Sequence, residues 1–105
     1  MVINRFDVFK NPSGAKDWPW VVVVQHDLLD RLSTRLVIPL ARKSALGGAV
    51  VTRLNPVWTV ERVAVVLMTQ QMGAVRAEKL TQRVSSLAAH RAEILAAIDV
   101  LISGV

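Results

Sequence analysis

The sequence predicts a mainly β protein that ends in one C-terminal α-helix. Short runs rich in Val, Ile, Trp and Thr recur from residue 2 to residue 69, separated by Gly, Pro, Asn and Asp. No apolar period of helical length interrupts them. After residue 83 the spacing changes to three- and four-residue steps, the stripe of an amphipathic helix.

Taken in order, residues 2–9 alternate loosely and suit a half-buried strand. Asn11-Pro12-Ser13-Gly14 breaks any ladder and favours a turn. Trp20 to Val24 is a β-branched run, short enough for a strand buried on both faces. Leu36-Val37-Ile38-Pro39-Leu40 is a third strand, and its proline cannot donate to a ladder, which predicts an edge or a bulge there. Gly47-Gly48 punctuates the chain, and residues 49–54 read as a further strand that Asn55-Pro56 interrupts. Val57 to Val60 and Arg62 to Thr69 form a hairpin turning at Glu61-Arg62. Six strands are thus expected before residue 72.

Val84, Leu87, Ala88, Ile94, Leu95, Ile98, Leu101 and Ile102 define the helical stripe. Ser85 or Ser86 is placed to cap its first turn, and Gly104 to end it. The expected organisation is one domain over residues 1–105, with a β body over 1–83 and a helix over about 85–103.

Composition narrows the chemistry. The 105 residues contain no Cys, so disulfides, thiol nucleophiles and Cys-based metal sites are excluded. The longest uninterrupted apolar stretch, Val63 to Met68, is far too short to span a bilayer, and Arg5 and Asp7 sit where a secretion signal is apolar. The expectation is a cytoplasmic chain without a membrane role. Thirteen Lys and Arg against eight Asp and Glu leave a net charge of +5, scattered along the chain as ordinary solvated faces rather than gathered in a basic arm.

Candidate reactive groups are few. His26-Asp27 with Asp30 is read as turn chemistry, Asp27 capping Leu28-Leu29-Asp30 through its carboxylate. The two His lie too far apart in sequence to suggest a metal site, and no cofactor is expected. His90 and Glu93, three apart on the helix, pair as neighbours on one face. There is no nucleophile elbow, phosphate loop or dinucleotide fingerprint. Trp18, Trp20 and Trp58 flank β-branched runs and are read as core or dimer-seam residues. Leu28-Leu29, set among polar neighbours, is the one apolar pair suited to docking.

The order of these segments resembles a known family. Gln25-His26-Asp27-Leu28-Leu29-Asp30, followed after four residues by Arg35-Leu36-Val37-Ile38-Pro39-Leu40, resembles the CcdB family of toxins from bacterial toxin–antitoxin modules. That family shows Gln-x-Asp, two aliphatics and Asp, then Arg, an aliphatic and Val-Ile-Pro-Leu at the same spacing. Leu54-Asn55-Pro56-Val57, Met68-Thr69-Gln70-Gln71-Met72 and Leu87-Ala88-Ala89-His90-Arg91 continue the resemblance in order.

The resemblance implies an SH3-like β-barrel of the CcdB/MazF toxin type, assembled as a homodimer. It implies no enzyme but a toxin that binds the A subunit of DNA gyrase and blocks replication. A cognate acidic antitoxin would neutralise it, and operator DNA would be reached only through the antitoxin complex, repressing their own operon. The gyrase contact it implies is Leu28, Leu29, Asp99, Ile102, Ser103, Gly104 and Val105. The helix end departs from the family's pattern. Ser103 stands at a tryptophan, Asp99 at an asparagine, Ile102 at a phenylalanine and Val105 at an isoleucine. Two alternatives accompany this reading. One is a non-toxic homologue that binds the antitoxin and regulates. The other is a same-fold endoribonuclease toxin using His26, Asp27 and Arg35.

Overall fold

The structure, a computed structural model, describes residues 2–48 and 50–105. Among these residues, seven strands form one antiparallel sheet that curls into a half-barrel, and a single α-helix follows. The strands are β1 (Asp7–Lys10), β2 (Trp20–Val23), β3 (Thr34–Arg42), β4 (Val57–Val60), β5 (Val63–Leu67), β6 (Gly73–Arg76) and β7 (Arg83–Ser86). The helix, α1, is Arg91–Ser103. The order across the sheet is β4-β5-β3-β2-β1-β7, with β6 also paired to β3. The expected mainly β class with a C-terminal helix is what the structure has.

Residue alternation explains how the sheet buries both faces. Val8, Val22, Ile38 and Leu40 point into the main core with Trp58, Val65, Leu67, Leu87 and Ile94. Phe9, Val21, Val23 and Val37 point the other way and pack on Leu80. The run Trp20 to Val24 carries apolar side chains at every position for this reason, as the sequence predicts.

Pro39 corrects an expectation. It lies inside the longest strand, opposite Val21 of β2, and not at a sheet edge or bulge. The carbonyl of Leu36 faces β2, where it accepts from Val24, so the backbone of Pro39 faces the opposite side. On that side β6 pairs with residues 34–37 of β3 and β5 with residues 40–42. The missing N–H therefore falls in the gap where one partner strand stops and the next begins. The Pro39 carbonyl is still satisfied, by the Met68 N–H at 2.9 Å.

Other boundaries differ from the sequence reading. The first strand begins at Asp7, not residue 2, because Phe6 adopts a left-handed backbone (φ 71°) that ends any extended run before it. Burial of its ring, 5% exposed, and the bond from its N–H to Val23 hold that conformation. Residues 50–54 form turns, not a strand. Leu54 and Asn55 both donate to the Val51 carbonyl, and the Asn55 side chain accepts from the Val51 N–H. Ala49, also assigned to that strand, lies outside the described residues. Five strands precede residue 72 and two follow it; the short β6 and β7 carry too few β-branched residues to stand out in sequence.

The helix starts later than residue 85. Residues 83–86 pair with β1 instead, and a 3-10 turn at Ala88–His90 leads into α1. Neither Ser85 nor Ser86 caps α1, whose N-cap position is His90; Ser86 Oγ accepts the Ala88 N–H at 3.1 Å just ahead of that 3-10 turn, where Leu87 is the N-cap residue. Ile94 and Ala97 are fully buried, whereas Leu101 and Ile102 of the expected stripe are exposed. Gly104 ends the helix as expected, in a left-handed conformation (φ 76°) with its N–H bonded to the Val100 carbonyl. Trp58 ties the helix to β4. Its indole N–H donates to Glu93 Oε2 at 3.2 Å, and its ring centroid lies 5.1 Å from that of His90. His90 Nδ1 completes the cluster, 3.1 Å from Glu93 Oε1, the expected pair.

The β4–β5 hairpin turns at Glu61-Arg62, as the sequence predicts, with Val60 opposite Val63. Both turn residues have positive φ, 48° and 66°, as a two-residue turn matching the strand twist requires. Neither residue type favours that region. Replacing them with the preferred pair, Glu61→Asn with Arg62→Gly, is expected to stabilise the protein by about 1–2 kcal/mol. Urea unfolding checks this: the midpoint should rise with no change in slope, and a fall would contradict it.

Candidate functional site

Two exposed apolar features stand out, a loop between β2 and β3 and the end of α1. The loop begins where β2 leaves the sheet after Val23 and forms a 3-10 turn at Asp27–Leu29. Leu28 is 84% exposed and Leu29 51%. Leu32 and Leu36, also exposed, extend this surface. Sequence reasoning singled out the first pair and missed the second. The available signal was four leucines within nine residues at helix-like steps of three and four, in a segment whose polar turn residues and downstream β-branched run form no α-helix.

A set of polar side chains holds this loop in shape. Gln25 donates from Nε2 to the carbonyls of Leu29 and Thr34 and accepts the Leu36 N–H at Oε1. Arg35, 9% exposed, turns its guanidinium back onto the loop and donates to the carbonyls of Asp30, Leu32 and Thr34. Asp27 accepts the Arg5 N–H at 2.8 Å, and Arg5 Nε donates to the Val24 carbonyl. Backbone groups that would otherwise need water are satisfied by the protein, so the leucines are presented from a fixed frame.

This geometry corrects the expected cap. His26, not Asp27, caps the turn, its Nδ1 accepting the Leu28 N–H at 3.0 Å. Asp27 is one position too late and reaches the N-terminal segment instead. The same bonds bear on His26, Asp27 and Arg35 as a reactive set. Each is engaged with backbone, and the Arg35 guanidinium is turned onto carbonyls inside the loop. Among the described residues no three His, Asp or Glu side chains gather as a metal site.

The second feature is the helix end. Asp99, Leu101, Ile102, Ser103, Gly104 and Val105 are all exposed, with Ile102 and Val105 each at 73%. Left-handed Gly104 turns the chain away from the helix axis before Val105. All seven residues singled out in sequence are therefore at the surface. The helix whose end carries five of them is seated through Ile94 and Ala97 on the main core and lies against the 3-10 turn at Thr69–Gln71.

No helix among the described residues is long and apolar enough to cross a membrane. The family model described as CcdB protein matches residues 5–104 of the chain. No curated protein matches it.

The polar frame makes a prediction. Arg35→Ala leaves three loop carbonyls without their charged donor, at a cost of about 2–3 kcal/mol. Hydrogen exchange should then quicken first at the amides of residues 28–33, ahead of global opening. Uniform loss of protection across the sheet would contradict a local role.

Proposed function

The chain belongs to the CcdB family, the toxins of toxin–antitoxin modules, and from that premise we propose that it inactivates DNA gyrase by occupying its A subunit. It makes and breaks no bond. The contact is Leu28 and Leu29 of the loop together with Asp99, Ile102, Ser103, Gly104 and Val105 at the helix end. The observation that carries this reading is the exposure of an apolar loop whose backbone is held rigid by Gln25 and Arg35. A rigid apolar surface binds with little ordering cost, and each buried leucine contributes about 1.5–3 kcal/mol. The working unit is a homodimer, which brings together two copies of the loop and the helix end. An acidic antitoxin neutralises it, and the pair represses its own operon, with DNA contacted through the antitoxin.

Ser103 favours a second reading. The family carries a tryptophan there, and large aromatic side chains dominate many interfaces. A small exposed polar residue in its place supports a non-toxic relative that keeps the antitoxin and regulatory roles.

Supercoiling by purified gyrase separates the two. Inhibition is expected, and untouched supercoiling at high excess of this protein overturns the first reading. Leu28→Asp with Leu29→Asp should weaken inhibition at least about tenfold, since both buried side chains are lost. Ser103→Trp should strengthen gyrase binding about tenfold or more. Unchanged affinity in that variant would place the contact elsewhere than the helix end.

A further inference from the structure

A groove at the far end of strands β1 to β3 from the leucine loop has no part in the contact proposed above. Lys10 ends β1, Trp20 begins β2 and Arg42 ends β3, whereas the leucine loop leaves from the opposite ends of β2 and β3. A cavity of about 420 Å³ opens here, with Trp20, Pro19 and Val84 as apolar lining and Lys10, Lys16 and Arg42 as cations. A second cavity of about 340 Å³ adjoins it across Lys10, Asn11, Gly14 and Gln82 and adds Lys79. The two form one trough.

The trough has an ordered wall. Asn11 donates from Nδ2 to the Trp18 carbonyl at 2.8 Å and accepts the Ser13 N–H at Oδ1. The Gly14 N–H bonds the Asn11 carbonyl, and Arg42 donates from its N–H to the Asp17 carbonyl. Arg42 Nε also reaches the Lys16 carbonyl. Trp20 is half-buried and packed on the main core, so the floor is fixed.

Its charge is one-sided. Among the described residues, Lys10, Lys16, Arg42 and Lys79 make no salt bridge. The nearby carboxylates do not neutralise them. Asp7 is buried and paired with Arg83, Glu78 is paired with Arg76, and Asp17, exposed beside Lys16, sets one negative charge against four positive ones. Four unpaired cations around an apolar floor complement a ligand that carries several negative charges and an apolar side chain.

We infer that this trough binds an extended acidic peptide segment, with an aliphatic or aromatic side chain seated against Trp20 and its carboxylates facing Lys10, Lys16, Arg42 and Lys79. The inference rests on the reading of the chain as a toxin with an acidic protein partner and names where that partner's chain lies. A peptide suits the trough better than a nucleic acid. Trp20 is built into the core rather than standing free as a stacking plane, and the remaining cations are scattered along the chain rather than forming a backbone track.

The test titrates the full chain with a fluorescein-labelled peptide alternating Glu and Leu, and in parallel with a labelled oligothymidylate. The acidic peptide should bind, more weakly as salt rises. Lys10→Glu with Lys16→Glu should weaken it at least about tenfold, while Arg91→Glu, a cation on the helix, changes it less than about twofold. Both sites are exposed, so the fold tolerates the changes. Absence of peptide binding, or equal weakening by both charge reversals, overturns the proposal. So does tighter binding of the oligothymidylate that is lost in the Lys10 and Lys16 variant, which assigns the trough to nucleic acid. Supercoiling is read on the same samples. A failure to inhibit gyrase leaves the peptide result standing, and a failed peptide result leaves gyrase inhibition standing.

Discussion

The central strand β3 is the constraint on which the rest of the structure depends. It pairs with β2 along one edge and with both β6 and β5 along the other, so it joins the two halves of the sheet. One face of it supplies Ile38 and Leu40 to the main core, and the other supplies Val37 to the smaller one. Pro39 is tolerated at its centre because the sheet divides there. A strand bonded continuously on both edges would leave a carbonyl without its donor at that point. The proline is thus matched to the gap between β5 and β6, and it discourages either strand from extending into the other's register.

The same strand begins at the loop that carries the apolar surface. Thr34 and Arg35 are its first residues, and Arg35 reaches back to hold the carbonyls of the loop before it. Gln25, just past β2, does the same from the other side. The polar residues of the segment are therefore structural, and they allow the leucines to face water. Those leucines carry little of the fold's stability, which frees them for contact with another molecule.

The helix is anchored at its beginning and free at its end. Ile94 and Ala97 seat it on the sheet, and Glu93 bridges Trp58 and His90 across its first turn. Among the described residues no side-chain hydrogen bond or salt bridge holds residues 101–105, where the side chains are exposed and Gly104 turns the chain aside. One element thus combines a fixed root with an exposed tip. A substitution at the tip alters an exposed surface without disturbing the root.

The sequence by itself determined the fold class, the both-face burial of Trp20 to Val24, the Glu61-Arg62 hairpin and the stop at Gly104. Each of these depends on neighbours a few residues away, through alternation, turn conformation or helix capping. It also marked Leu28 and Leu29, because an apolar pair amid polar residues has no local role. Tertiary structure decided the rest. Residues 83–86 became a strand because β1 lay free to pair with them, although their period fitted a helix. Residues 50–54 became turns because Asn55, held by the Leu67 carbonyl and the Gln70 side chain, bound their backbone, although their composition fitted a strand. The roles of His26, Asp27 and Arg35 depended on which backbone groups the fold brought within reach. Side-chain hydrogen bonding and strand pairing leave no periodic trace in a chain, whether the partners are near or far in sequence, so those assignments required the assembled structure.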